Sequence, residues 1–301
     1  MKHKSIQVII TAAFFLITIA SCKAQKNVGL ISNADNNTLL WEITGNGLQQ
    51  PTYVYGTYHI MCKKYLIVSS QLKAAITNVD EVYMELDMDD PATMMGAFSM
   101  MNMKGEKKLA DLYSPIEYTK VSSFFTDSIH VPLSMVNKMK PFFLMAMLYP
   151  KLTDCNASSG VEEAILKEAK ANKKQIKGLE TMAFQAGVFD SIPYTIQAKE
   201  LLKMIDSLPH YKKYMDTLLT IYLSQNLQKI EDQFNNKEMG LMDNQDILLD
   251  DRNADWVKQL QQLMKQKSLL VAVGAGHLVG KKGLIQLLKN QGYVVRPLLN
   301  K

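Results

Sequence analysis

The sequence predicts an α/β or α+β fold: a central mixed sheet flanked by helices, with a long helical stretch inserted in the middle. Three observations lead there. Short β-branched and aromatic runs stand near both ends of the mature chain, and a nearly unbroken helical period fills its centre. The run Leu269–Val273 (LLVAV) is apolar throughout, as a strand buried on both faces requires. Taking the elements in order, Leu39–Thr44 (LLWEIT) and Thr52–Gly56 (TYVYG) are two strands about the turn Gly45-Asn46-Gly47. Lys64–Thr77 has helical spacing, and Asp80–Asp87 (DEVYMELD) alternates as a strand does. From Ala92 to about Tyr149 the period is helical, with breaks near Gly105, Ser114-Pro115 and Val131-Pro132. Val161–Ala171 is a helix and Gln175–Leu179 a short strand. Thr181 to about Asp251 is again helical, broken at Leu208-Pro209. Leu278–Asn290 follows LLVAV as a helix, and Tyr293–Pro297 is a last strand.

The N-terminus carries the strongest local signal. Lys2 and Lys4 precede an apolar run from about Val8 to Ala20, too short to span a bilayer comfortably but suited to a secretory signal. It ends in Ile19-Ala20-Ser21-Cys22, the pattern of a bacterial lipobox. Residues 1–22 are therefore read as a lipoprotein signal and residues 23–37 as a polar tether. Residues 38–301 form one mature domain. Two acyl chains on Cys22 would give stable membrane anchoring, which a single chain does not. The expected partner is thus the lipid membrane of a bacterial cell envelope. Hydrophobic residues make up 47% of the 301 and charged residues 21%, an ordinary balance for a folded core. The formal charge of +5 falls to about +3 without Lys2 and Lys4, and no arginine-rich stripe is present; nucleic acid is excluded as a partner. The 19 methionines are read as helical packing. Cys62 and Cys155 remain in the mature chain. An exported protein could join them, and Cys62 lies near enough to His59 to suggest zinc, but two unpaired thiols are the favoured reading.

Two segments resemble each other. Val54-Tyr55-Gly56-Thr57-Tyr58-His59 and Ala272-Val273-Gly274-Ala275-Gly276-His277 each end a strand in Gly-x-x-His. A glycine there permits a tight turn, including one with positive φ, and the turn presents the imidazole at the carboxyl edge of the sheet. Glu85 near the end of DEVYMELD and Glu180 after QIKGL occupy similar places, with Asp87 on the same side as Glu85. If these strands are parallel neighbours, His59, Glu85, Glu180 and His277 gather at one edge. Two imidazoles with a carboxylate are a common ligand set for zinc, manganese or cobalt. Unrelated turn histidines, and a helix cap at Glu180-Thr181, are the plainer alternatives.

The segments YVYGTYH, VYMELD, KPFFL, GVEEAILKEAKANKKQIKGLET, DDRNADW and VAVGAGHLVGKKGLIQLLKNQGYVVRPL resemble the TraB/PrgY/GumN family, from about residue 38 to 299. That family is related to the Tiki proteases and, more distantly, to erythromycin esterase-like proteins. The resemblance implies a metal-dependent hydrolase-like fold. His59, His277 and Glu85 would share one site with the pair Arg252 and Asn253. One departure is visible: Gly160-Val161-Glu162 stands where the family often has Gly-Val-Asp. The mechanism expected from these residues binds one divalent ion at His59, His277 and Glu85. Glu180, or failing it Asp87, accepts a proton from water. Arg252 and Asn253 meet a substrate carboxylate or developing oxyanion. The substrate would be a peptide or other small acyl compound outside the cytoplasm. The alternative is a non-catalytic surface protein that captures a small peptide or saccharide in the same pocket.

Overall fold

The computed structural model describes residues 37–90, 100–155, 157–235 and 244–301. The signal, Cys22 and all but the last residue of the tether lie outside these residues, as does the methionine pair at 94–95. Among the described residues, no helix is long and apolar enough to cross a membrane.

Among the described residues there are eight strands: β1 (Leu40–Thr44), β2 (Thr52–Thr57), β3 (Met61–Cys62), β4 (Glu81–Leu86), β5 (Ser158–Ser159), β6 (Gln175–Glu180), β7 (Leu269–Gly274) and β8 (Val294–Pro297). Six of them form a mixed sheet in the order β6-β4-β7-β2-β1-β8, with helices on both faces. The strands β6, β4, β7 and β2 pair in parallel, whereas β1 pairs antiparallel with both β2 and β8. The run LLVAV is indeed central, and all of Leu269–Val273 is buried. Period-two alternation divides the strands between two cores. Tyr53, Tyr55, Val82, Met84, Leu270 and Ala272 face the helices Ser70–Asn78 and Val161–Ala171. Val54, Tyr83, Leu269, Val271 and Val273 face Asp251–Leu263 and Leu284–Asn290.

Two helices start later than their hydrophobic period predicts. Ser69 Oγ accepts the Leu72 amide 3.0 Å away, so the first helix begins at Ser70 and not near Lys64. After His277, Gly280 turns at φ 82°, which delays the next helix to Leu284. The helical middle packs a third apolar cluster of its own, with Leu109, Phe125, Leu144, Leu148, Leu201 and Tyr211 at its centre. Inside it Lys140 is buried, yet fully partnered by Asp190 at 2.8 Å and the carbonyls of Met100 and Ala186 at 2.9 Å. This cluster reaches the sheet at the first Gly-x-x-His turn, where Tyr149 donates to the Ile60 carbonyl.

Cys62 and Cys155 are not the two unpaired thiols expected from the sequence. They form a disulfide with their Cα atoms 5.2 Å apart. A separation of 93 residues hid the pairing, because only the short ladder of β3 with β5 brings them together. Being bonded to sulfur, Cys62 is no ligand for zinc.

Leu270 is fully buried in the strand at the centre of the sheet. Leu270→Ala is expected to cost roughly 2–5 kcal/mol in urea unfolding, whereas truncating the exposed Leu223 should change stability by less than about 0.5 kcal/mol.

Candidate active site

The parallel register brings the four strand ends of β6, β4, β7 and β2 to one edge of the sheet. Glu85 is the next-to-last residue of β4, Glu180 ends β6, Gly274 ends β7 and His59 follows β2 by two residues. The centre is Gly274. A Cβ built there would lie 3.4 Å from Glu85 Oε1, 3.6 Å from His59 Nε2 and 3.7 Å from His277 Cδ2. The glycines of both turns serve space and not a left-handed backbone: neither Gly56 nor Gly274 has positive φ, and a Cβ on Gly56 would press into Leu278 at 2.8 Å.

Each imidazole is held from behind. His277 Nδ1 lies 2.7 Å from Asn253 Oδ1, and the Asn253 amide group donates to the Lys282 carbonyl at 3.0 Å. That fixes the proton on Nδ1 and turns Nε2 inward, 3.8 Å from Glu85 Oε1. The ring is buried against Trp256, with centroids 4.4 Å apart. Burial, together with the charges of Arg252 and His59, lowers its pKa to about 3 despite the opposing pull of Glu85. His277 is therefore neutral at any physiological pH. His59 Nδ1 lies 2.7 Å from Glu162 Oε1, and Thr57 donates to the same oxygen at 2.6 Å. Shielding by the surrounding protein disfavours the imidazolium. The Glu162 hydrogen bond and charge, with Glu85 beyond, outweigh this and raise His59 to about 9. The His59 side chain is 68% exposed, so solvent screens part of that effect.

Arg252 ties the carboxylates together. Its Nε and Nη2 donate to the two Glu180 oxygens at 2.8 Å, and Nη2 also reaches Glu85 Oε2 at 2.7 Å. Nη1 donates to the Leu248 carbonyl at 2.9 Å and lies 3.3 Å from His277 Nε2. The guanidinium stands 4.8 Å over the Trp256 ring. Glu85 Oε2 accepts in addition from Gln185 at 3.1 Å, while Oε1 takes the Gly274 amide at 2.8 Å. Burial opposes ionisation of Glu85, but the charges of His277 (itself protonated only in that acid range), His59 and Arg252 and the Gly274 amide overcome it, holding the carboxyl at about 2. Glu180 has both oxygens on Arg252 and a side chain only 4% exposed. The cap on the following helix is Thr181, whose Oγ1 accepts the Phe184 amide. Asp87 Oδ1 accepts the Asp89 amide within its own turn.

The structure thus gathers His59, Glu85, Glu180, Arg252, Asn253 and His277 at one edge. Sequence reasoning did not single out Thr57, Gln185 or Trp256, and it noted Glu162 only as a departure. No periodicity marks Gln185 or Thr57; Glu162 could have been found from the short distance along the chain to Cys155, had the disulfide been known. Among the described residues, no group of three or more His, Cys, Asp or Glu side chains stands in a metal-holding arrangement. Arg252, which reaches both Glu85 and His277 Nε2, occupies much of the space between them. The donor types still match a divalent ion, since both imidazoles have Nδ1 engaged by side-chain oxygens and their rings converge with Glu85 Oε1 on Gly274; His277 Nε2, however, stands 3.3 Å from Arg252 Nη1 and 3.8 Å from Glu85 Oε1, so an ion would have to displace the guanidinium there.

The TraB/PrgY/gumN family model matches residues 39–297, nearly all of the described chain. The chain belongs to that family. It is also 22% identical to the metalloprotease TIKI1 of Danio rerio, over 87% of its own length and 63% of that protein's. Against the metalloprotease TIKI homolog of Amphimedon queenslandica it is 20% identical, over 99% of its length and 69% of that protein's. The family member thus spans just under two thirds of the first of these relatives and slightly more of the second. No solved structure matches the chain significantly.

Arg252→Met should leave Glu85 and Glu180 as buried, uncompensated carboxylates. It is expected to destabilise the fold by about 3–5 kcal/mol in urea unfolding at neutral pH. The added substitutions Glu85→Gln and Glu180→Gln should recover most of that loss.

Proposed function

We propose that this TraB/PrgY/gumN family protein is a metal-dependent hydrolase of peptides or related acyl compounds, acting outside the cytoplasm from a lipid anchor on Cys22. The observation that carries the reading is the pair of imidazoles held at Nδ1 by Glu162 and Asn253, with both rings and Glu85 Oε1 converging on Gly274. His59 Nε2, His277 Nε2 and Glu85 are the residues that would hold a zinc, manganese or cobalt ion. Such an ion lowers the pKa of a bound water toward neutrality and polarises a carbonyl oxygen. The similarity to two proteins named metalloproteases supports this choice of chemistry. The disulfide supports an oxidising compartment, in keeping with an exported chain.

The remaining residues divide the work. Arg252 places a fixed positive charge beside the imidazoles; its N–H groups are already taken by Glu180, Glu85, the Leu248 carbonyl and His277, so it would act on negative charge developing on a carbonyl oxygen through its field and not by direct hydrogen bonds. Glu180 holds the guanidinium in plane by two hydrogen bonds, and we assign it that task in place of accepting a proton. Asn253 sets the tautomer of His277, and burial keeps that ring neutral; His59, which Glu162 favours as the cation, would give up its Nε2 proton when an ion binds. Gln185 and Arg252 both hold Glu85 Oε2, which leaves Oε1 turned toward the centre.

The test is metal content by elemental analysis of the full chain in detergent, followed by turnover of a peptide library, beside His59→Ala/His277→Ala. About one ion per chain and peptide cleavage are expected in the wild type, with both lost in the double variant. Ion binding with peptide capture and no cleavage would favour a binding protein. Cleavage that survives loss of both histidines would overturn the proposal.

A further inference from the structure

The disulfide does not lie at random with respect to the site. Cys62 follows His59 by three residues, and Cys155 precedes Glu162 by seven. Between the two cysteines and the His59–Glu162 pair, the two segments are joined at several points. Lys63 N donates to the Ala157 carbonyl at 3.0 Å, Met61 and Cys62 pair with Ser159 and Ser158, and Val161 N donates to the Tyr58 carbonyl at 3.1 Å. Gly160 lies so close to this ladder that a Cβ on it would collide with the His59 carbonyl oxygen. Glu162 then enters the first turn of the helix Val161–Ala171, where the helix dipole favours a carboxylate. Its Oε1 receives Thr57 and His59, whereas its buried Oε2 has no hydrogen-bond partner. A carboxylate half of which goes unpaired gains nothing from burial by itself. Its position is imposed by the chain on either side, and that chain is tied down by β3, β5 and the disulfide.

We propose that Glu162 is the positioning residue of His59, and that the Cys62–Cys155 cross-link holds the two strands in the register that keeps Glu162 on His59 Nδ1. The cross-link thereby reaches the hydrolytic centre through one hydrogen bond, without touching it. This rests on the reading of His59 as a metal ligand, since an acceptor behind a ligating imidazole fixes its ring and strengthens its donor nitrogen.

The experiment is zinc affinity of the full chain in detergent, for wild type, Glu162→Gln, Glu162→Asp, Cys62→Ala/Cys155→Ala and the triple variant Cys62→Ala/Cys155→Ala/Glu162→Gln. Hydrogen exchange is followed in the same samples. Glu162→Gln should weaken zinc binding by about 10–100-fold, with Glu162→Asp recovering part of the loss. Removing the cysteines should weaken it too, and adding Glu162→Gln to that background should cost much less than it does alone, because both changes act on one contact. Amides of residues 58–63 and 157–162 should exchange faster without the cross-link, while Leu269–Gly274 should not. Additive losses, or cysteine-free protein with wild-type affinity, would overturn the proposal. If the wild type takes up no zinc, the metal reading fails and exchange alone decides. Unchanged protection of both segments would then refute the cross-link's role, and faster exchange confined to them would uphold it. Gly160→Ala, which keeps the disulfide while pushing the strands apart, should reproduce the faster exchange and guards against a cysteine-free chain that does not fold.

Discussion

Two buried carboxylates beside two imidazoles need a fixed counter-charge, and Arg252 supplies it. Its guanidinium satisfies both oxygens of Glu180, one of Glu85 and the Leu248 carbonyl, while Trp256 covers one face. An arginine serves where a lysine would not, because the planar fork meets several acceptors at set angles. The consequences spread from there. Glu85 stays ionised although buried, His277 stays neutral through burial, with the Arg252 cation adding to the effect, and the Glu85 oxygen that Arg252 leaves free faces the centre. The helix Asp251–Leu263 that carries Arg252 also supplies Asn253 and Trp256, so one helix governs charge, tautomer and packing around His277.

The second imidazole is built differently. His277 is buried and rigidly enclosed, whereas His59 is exposed on the far side of the centre. Its orientation depends on Glu162, which comes from the other side of a two-residue ladder closed by a disulfide. The site therefore joins a fixed half, set by the sheet and the helix of Arg252, to a half whose geometry rests on a cross-link. Solvent reaches the site from the same side, since the exposed ring marks its open face.

Much of this was legible in the sequence, and the reasons are physical. A run of five apolar residues suits a strand covered on both faces, so β7 was found, though not which strands flank it. Parallel pairing then places the strand ends together, which is why His59, Glu85, Glu180 and His277 share an edge. The family resemblance added Arg252 and Asn253. What could not be read was contact direction. Asn253 was expected to donate to an oxyanion, and in the structure its oxygen accepts from His277; no pattern of residue types distinguishes the two ends of an amide. Glu180 was expected to take a proton, but its environment is set by an arginine 72 residues away. The strands β3 and β5 have two residues each, too few to show any period, and the disulfide across them was invisible for that reason. Helix starts moved where a side-chain cap or a left-handed glycine intervened, as at Ser69 and Gly280.

The central claim is that both Gly-x-x-His imidazoles and Glu85 address one point. Zinc-edge X-ray absorption on the zinc-loaded full chain tests it most directly, because it reports the identity of the atoms around the ion. Two imidazole rings with oxygen completing the shell and no sulfur are expected, and a single imidazole in His59→Ala. A shell containing sulfur, or one imidazole in the wild type, would contradict it.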